Sequence, residues 1–201
     1  MPANCNGQPL RSVASVASSW ALKCGSVFAG AWRAHDYRWP RSTIGYYDLS
    51  HGYGWSLEQA ALAWDLSGAQ VRFVPVPRAR AQVIVGARLN AGDRREAGEA
   101  LVHVRGGHIH DAVVYIRDGV DRYTAAQILA HELGHVLGIA HDDRGCATMN
   151  STLLGAHPWR CTAPPRGEWR CGLVTADDAA AAVRLYGGRA LAPPREFCRV
   201  Q

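Results

Sequence analysis

The stretch His131-Glu132-Leu133-Gly134-His135-Val136-Leu137-Gly138-Ile139-Ala140-His141-Asp142 constrains this chain more than any other feature of it. On a helix, residues four apart share a face, so His131 and His135 carry two imidazoles to one point. Gly138 then lets the backbone leave the helix through a left-handed turn, and three residues later His141 returns toward the same point. Three neutral imidazole nitrogens are a donor set for zinc at ~2.0 to 2.1 Å, and they leave the fourth tetrahedral position open to water, as catalytic sites do and structural ones do not. Zinc lowers the pKa of such a water toward ~7, and Glu132, beside the first ligand, is placed to take its proton. The alternative is a set of satisfied polar histidines on a helix. Five fixed positions in an amphipathic helix, followed by Cys146-Ala147-Thr148-Met149-Asn150, speak against it.

The rest of the chain supplies a frame for that helix. Apolar residues Val13, Val16, Ala17 and Trp20 predict a short amphipathic helix between Leu10 and Cys24. Arg41 to Tyr47 reads as a first strand. Ser56 with Gln59 reads as a capping box opening a helix whose apolar face is Leu57, Ala60, Ala61 and Trp64, with Gly68 as its stop. Val71 to Val74, ended by Pro75 and Pro77, and Val83 to Val85 follow as strands of a βαβ unit. A polar loop from Asn90 to Gly98 precedes Leu101–Arg105 and Ile109–Ile116, joined by Gly106-Gly107, the pair suited to a two-residue hairpin turn. Thr124 is the expected cap of the histidine-bearing helix. Thr175 with Asp178 opens a last helix with Ala179, Ala182, Val183 and Tyr186 on one face.

The composition allows one core and excludes several classes. At 201 residues the chain is one domain on a prior of ~150 residues each. With 48% hydrophobic and 19% charged residues it has an ordinary globular composition. No run approaches the ~18 to 20 apolar residues of a membrane span. The net charge of +5 comes from scattered arginines, with Lys23 as the single lysine, and Arg78/Arg80 and Arg94/Arg95 lack interleaved aromatics, so nucleic acid is not an expected partner. The six cysteines, Cys5, Cys24, Cys146, Cys161, Cys171 and Cys198, form no CxxC pair and are an even number, which favours disulfides and a secreted, extracellular or periplasmic setting.

The 131–142 pattern and Met149 resemble the signature of the metzincin metallopeptidases, HExxHxxGxxH followed by a methionine-containing turn beneath the zinc. Within that clan the chain is most similar to the matrixins and their short bacterial relatives. That likeness rests on Ser56-Leu57-Glu58-Gln59-Ala60-Ala61-Leu62-Ala63-Trp64 before a strand, Gln82-Val83-Ile84-Val85-Gly86 after it, and Val174-Thr175-Ala176-Asp177-Asp178 leading to Leu185-Tyr186-Gly187. It spans about Trp39 to Gly188. Asp142 departs from the serine usual in matrixins. The histidine and aspartate array of a second, structural zinc is missing; His103, His108 and His110 fall in that region, where hairpin alternation accounts for them. Asp118 and Asp121 sit where a calcium site or a solvated turn could lie, so calcium or a second zinc is not supported.

The resemblance implies an α+β fold, with a twisted, mixed, five-stranded sheet carrying one antiparallel edge strand, an active-site helix, a Met-turn and a C-terminal helix. It implies an N-terminal extension over 1–38 and a catalytic domain over 39–201, divided near 138/139 into upper and lower subdomains. The activity implied is that of a secreted zinc endopeptidase, monomeric, acting on an extended peptide or protein. Substrate backbone would pair with the edge strand at Ala100, Leu101, Val102 and His103. Asn150, Leu153 and Leu154 would shape the pocket for the residue after the cut. A secreted zinc-binding interaction or toxin module without turnover is the competing expectation, and Glu132, which zinc binding alone does not need, argues against it. Matrixin precursors are kept latent by a free cysteine upstream of the first strand, and Cys24 stands at a comparable place. A Cys5–Cys24 disulfide across the first helix is the favoured alternative. Short separation pairs Cys161 with Cys171 and leaves Cys146 for Cys198, one of 15 connectivities open to six cysteines.

Overall fold

A computed structural model of the chain describes residues 35–88, 97–152 and 167–199. The expected helix between Leu10 and Cys24, most of the Asn90–Gly98 loop, Leu153, Leu154, Cys5, Cys24 and Cys161 lie outside the described residues. The fold is α+β. Strand β1 (Thr43–Leu49) leads into helix α1 (Gly54–Asp65), then β2 (Arg72–Pro75), β3 (Val83–Arg88), β4 (Gly98–Arg105) and β5 (His108–Arg117). Helix α2 (Arg122–Val136) carries the histidine segment, and α3 (Ala176–Tyr186) and a short α4 (Arg195–Cys198) close the chain.

The five strands form one mixed sheet in the order β2-β1-β3-β5-β4. β1 pairs in parallel with β2 and β3, and β3 with β5, while β4 runs antiparallel to β5 at the edge. Parallel neighbours need a crossover, and α1 supplies the first one. The β4–β5 connection is tight because Gly106 (φ 59°) and Gly107 (φ 78°) both take the left-handed conformation that a two-residue hairpin turn demands. Register then slips by one residue, with Val104 opposite Ile109 but His103 opposite Asp111, so His110 is the extra residue of a bulge. The bulge keeps Ile109, Ala112, Val114 and Ile116 all on the buried face.

Helices α1 and α2 pack against each other and against the sheet. Leu57, Ala60, Ala61 and Trp64 of α1 are buried together with Ile128, Leu129, Leu133 and Val136 of α2. The Trp64 indole N–H donates to the Ala130 carbonyl (2.8 Å), which fixes the two helices in register across a dry contact. Burial of the expected α1 face agrees with its periodicity, but its cap does not. The helix starts at Gly54 with Tyr53 as N-cap and no side-chain cap bond. Ser56 Oγ instead donates across the interface to the Arg122 carbonyl (2.8 Å). The cap of α2 is likewise Asp121 and not Thr124. The Asp121 carboxylate accepts from the Tyr123 and Thr124 N–H groups and from the Thr124 hydroxyl, and these bonds hold its pKa below the usual carboxylate range. Thr175 and Asp178 form the expected capping box of α3.

The expected pairings Cys161–Cys171 and Cys146–Cys198 are overturned. Cys171 is bonded to Cys198, with Cα atoms 4.9 Å apart, and Cys146 is bonded elsewhere. Chain proximity misled here because α4 folds back onto the 3₁₀ turn Trp169–Gly172. Closing a loop of 27 residues removes enough unfolded-chain entropy for a stabilisation of about 3 to 4 kcal/mol. A Cys171→Ser/Cys198→Ser variant is therefore expected to lose about that much in a urea titration with no change in sheet content by circular dichroism, and an unchanged midpoint would count against the pairing.

Candidate metal centre

Helix α2 sets the spacing of the first two histidines and its end sets the third. The backbone leaves the helix at Gly138, whose φ is 87°. A Cβ at that position would also lie 2.6 Å from the Tyr37 carbonyl oxygen, so glycine is required for space as well as for conformation. The Nε2 atoms of His131, His135 and His141 then converge, at 3.1, 3.1 and 3.2 Å from one another. A tetrahedral centre with ~2.0 to 2.1 Å bonds separates its nitrogens by about 3.3 to 3.4 Å, so the triangle has nearly the size of a zinc-bound set.

The other ring nitrogens explain why these are lone pairs and not N–H groups. His131 Nδ1 donates to the Thr148 carbonyl (2.7 Å) and His135 Nδ1 to the Ile139 carbonyl (2.9 Å). A proton held on Nδ1 leaves Nε2 as the acceptor, and acceptors crowded at one point call for a shared cation. Burial reinforces this. It depresses the His131 pKa to about 4, puts that of His135 well below the ordinary value, and lowers that of His141; neighbouring rings of the set add to the effect at His131 and His135. Lowered in this way, the rings favour the neutral form that a metal ligand needs. This is the one group of three or more such residues within metal-binding reach among the described residues.

The carbonyls at the end of α2 and its exit turn are capped locally by Gly138 and from two distant segments. His135 O accepts from the Gly138 N–H (2.9 Å), Val136 O from the Trp39 indole (2.8 Å), Leu137 O from the Tyr186 hydroxyl (2.7 Å) and Gly138 O from the His35 N–H (3.0 Å). The Tyr186 hydroxyl in turn accepts from the Trp39 N–H (3.2 Å). Every helix end leaves such carbonyls to be satisfied, and here they anchor the turn that carries His141. Trp39, Tyr186 and His35 have no signal in local periodicity that would link them to this turn.

Met149 is fully buried beneath α2. It packs where Gly134 leaves room, since a Cβ on Gly134 would lie 2.2 Å from the Met149 sulfur and 3.0 Å from Trp64. The loop that carries it is held by Asp178, whose carboxylate accepts from the Thr148 N–H (2.8 Å) and the Met149 N–H (3.2 Å). Glu132 is buried at 1% exposure and lies against β4, with its Oε1 2.6 Å from where a Cβ on Gly98 would stand. In the sequence Gly98 stands only as a loop end and Gly134 only as an intervening position of the histidine pattern. A glycine inside a helix and one at a strand start are the signals that mark such close approaches.

The remaining expected site residues fall in several places. Ala100 and Val102 turn their side chains into the core, so β4 offers backbone and not those side chains to a ligand. Leu101 and His103 point to the opposite face, where His103 pairs with Asp111 across the hairpin. Asn150 is buried inside its own loop, donating to the Asp142 and Gly145 carbonyls (2.6 and 2.8 Å) and accepting from the Ala147 N–H (3.0 Å). Asp142 is held by Arg144 through two bonds of 2.8 and 2.9 Å. Comparison of the chain with models of known families finds no match, and comparison with curated proteins finds none.

Two outcomes follow. A helical Gly→Ala change ordinarily stabilises by up to about 1 kcal/mol. Gly134→Ala should instead destabilise by about 1 to 3 kcal/mol, because Met149 must move; a stabilised variant in urea unfolding would refute the contact. The pH dependence comes from the depressed histidines. The unfolded chain protonates near pH 6.5 while folded His131 resists until about 4. Stability of the metal-stripped protein should be complete above about pH 6.5 and fall toward pH 4. Chelated samples unfolded in urea across that range test this, and a flat profile would contradict it.

Proposed function

We propose that the protein is a secreted zinc endopeptidase of the metzincin type. The observation that carries this reading is the convergence of three neutral imidazoles on one helix and its exit turn, with the Glu132 carboxylate in the same helix and a buried methionine beneath. The donor set fits zinc, since uncharged nitrogen ligands at this spacing suit a borderline-soft ion and leave a coordination position for a reactant. His131, His135 and His141 would hold the metal. When bound, it would act as a Lewis acid toward a carbonyl oxygen and lower the pKa of water.

The chain's own residues would do the rest. Glu132 would accept the proton of the attacking water and pass it to the departing amine. Its burial at 1% exposure excludes competing bulk water from that transfer. The outer edge of β4 would bind an extended peptide by backbone hydrogen bonds, through the main chain of Ala100 to His103, and so align the scissile bond. In this reading residues 39–201 form the catalytic domain, with the division near 138/139, and residues 1–38 precede it. The Cys171–Cys198 disulfide supports an oxidising, extracellular setting. No described helix is long and apolar enough to cross a membrane.

Glu132→Gln separates this proposal from a zinc-binding module without turnover. The variant should keep one zinc per chain and its fold, and lose ~10² to 10⁴ of the peptide-hydrolysis rate measured on a mixed peptide library. Hydrolysis retained near the parental rate would remove Glu132 from the mechanism. Absence of any cleavage by the zinc-loaded parent chain would favour the binding module.

A further inference from the structure

Where α4 folds back onto the 3₁₀ turn Trp169–Gly172, two hydrogen-bond donors have nothing to donate to. The Trp169 indole N–H and the Arg170 Nε–H are both buried, and neither has an acceptor. Folded chains seldom leave such groups unpaired, because their lost hydrogen bonds to water are then not replaced. The two donors sit on consecutive residues, and the Arg170 guanidinium carbon lies 5.8 Å from the centre of the Trp169 ring, so both belong to one small region. The indole is not free to turn toward another acceptor. Its ring is packed against Tyr123 (5.2 Å between centres, 80°) and Trp55 (5.7 Å, 43°).

Negative charge is what this corner lacks. Arg170 is half-buried and forms no ion pair with any described residue. Its compensation comes from the rings of Trp169 and Phe197, whose centres lie 5.8 and 5.7 Å from its guanidinium carbon, close to the ~6 Å limit of a cation–π contact. Arg122, the second guanidinium of the cluster, lies over Trp55 and Tyr123 at 4.8 and 4.9 Å and donates to the Tyr123 hydroxyl, again with no carboxylate partner among the described residues. Asp121, next to it in the chain, is spent on the cap of α2. A water molecule can accept from the orphan N–H groups but leaves the charge of Arg170 uncompensated. A carboxylate on a larger ligand cannot follow them into a buried position. A monatomic anion meets both requirements.

We propose that the corner between Trp169 and Arg170 binds a halide ion, chloride or bromide, held by the Trp169 indole N–H and the Arg170 Nε–H. The ion stabilises the packing of the turn and α4, since only the folded chain brings the two donors together. The site shares no residue with the histidine cluster and does not depend on what that cluster does.

The test is a titration of the zinc-loaded full chain in which sodium gluconate is exchanged for sodium chloride or bromide at constant ionic strength. Gluconate carries the same charge on a body too large for an enclosed site. In ¹H–¹⁵N NMR the Trp169 indole signal, identified by its loss in Trp169→Phe, is expected to shift saturably with either halide and not when gluconate alone is raised. The melting temperature should rise over the same halide range. Arg170→Lys keeps the charge but removes the Nε–H, and Trp169→Phe keeps a ring but removes the indole N–H. Each should raise the half-saturating halide concentration about tenfold, as expected for loss of one hydrogen bond to a charged group. Crystals grown without halide and soaked in bromide should show its anomalous signal within hydrogen-bond reach of both nitrogens. A non-saturable response, an equal effect of gluconate, a water and no bromide between the nitrogens, or unchanged half-saturation in the folded variants would overturn the proposal.

Discussion

The three-imidazole cluster depends on one kind of bond, the ring N–H to backbone carbonyl contact that locks the tautomers of His131 and His135. His131 is held by Thr148 O and His135 by Ile139 O. Turning either ring over would put a carbon, Cε1, where the Nε2 lone pair now points. The Thr148 carbonyl is itself fixed at a distance, because Asp178 binds the Thr148 N–H, the Met149 N–H, the Thr175 N–H (2.9 Å) and the Thr175 hydroxyl (2.6 Å). One carboxylate, buried at 1% exposure, thus caps α3 and holds the loop beneath the cluster. Its desolvation is offset by four donors, as a buried charge requires.

A second dependence runs through the end of α2. The turn carrying His141 cannot be rigid unless the orphan carbonyls of the helix are satisfied, and the segment before β1 and the end of α3 satisfy them. Trp39, Tyr186 and His35 reach Val136, Leu137 and Gly138 in succession. Arg38 extends this clasp, donating to the Leu185 carbonyl (3.0 Å) while its own carbonyl accepts from the Ile109 N–H (3.0 Å). The turn carrying His141 is consequently tied to the segment before β1, to the end of α3 and, through Arg38, to the sheet.

What was legible in the sequence was what rests on short separations. The spacing of His131, His135 and His141, the glycine turn of the β4–β5 hairpin, the Thr175–Asp178 box and the buried face of α1 all follow from helix or strand periods and from residues that permit positive φ. The misses share a long-range cause. Ser56 looked like a cap by its spacing to Gln59, but its hydroxyl is used by Arg122 on another helix, 66 residues away. Cys171 lies nearer in sequence to Cys161 than to Cys198, yet α4 brings Cys198 to it. The cap of Val136 comes from Trp39, 97 residues upstream, which no local pattern encodes. Thr124 has the residue type of a cap, but the Asp121 carboxylate three residues upstream, an acceptor only, satisfies two N–H groups at once.

The same geometry that prepares the cluster for a metal makes it costly without one. Three imidazole nitrogens, two of them on buried rings, lie about 3 Å apart, and a single added proton can bridge only two of them. Burial opposes even that proton, as the depressed histidine pKa values require. A doubly charged ion would satisfy the three nitrogens together. Its binding energy would enter the folding free energy, because the unfolded chain presents no such triangle. The capping bonds at Val136, Leu137 and Gly138 and the Asp178 network keep the three nitrogens converged. Separating these bonds from the ligands themselves explains how a small C-terminal layer, stapled by Cys171–Cys198, supports a site whose ligands lie on and just beyond one helix.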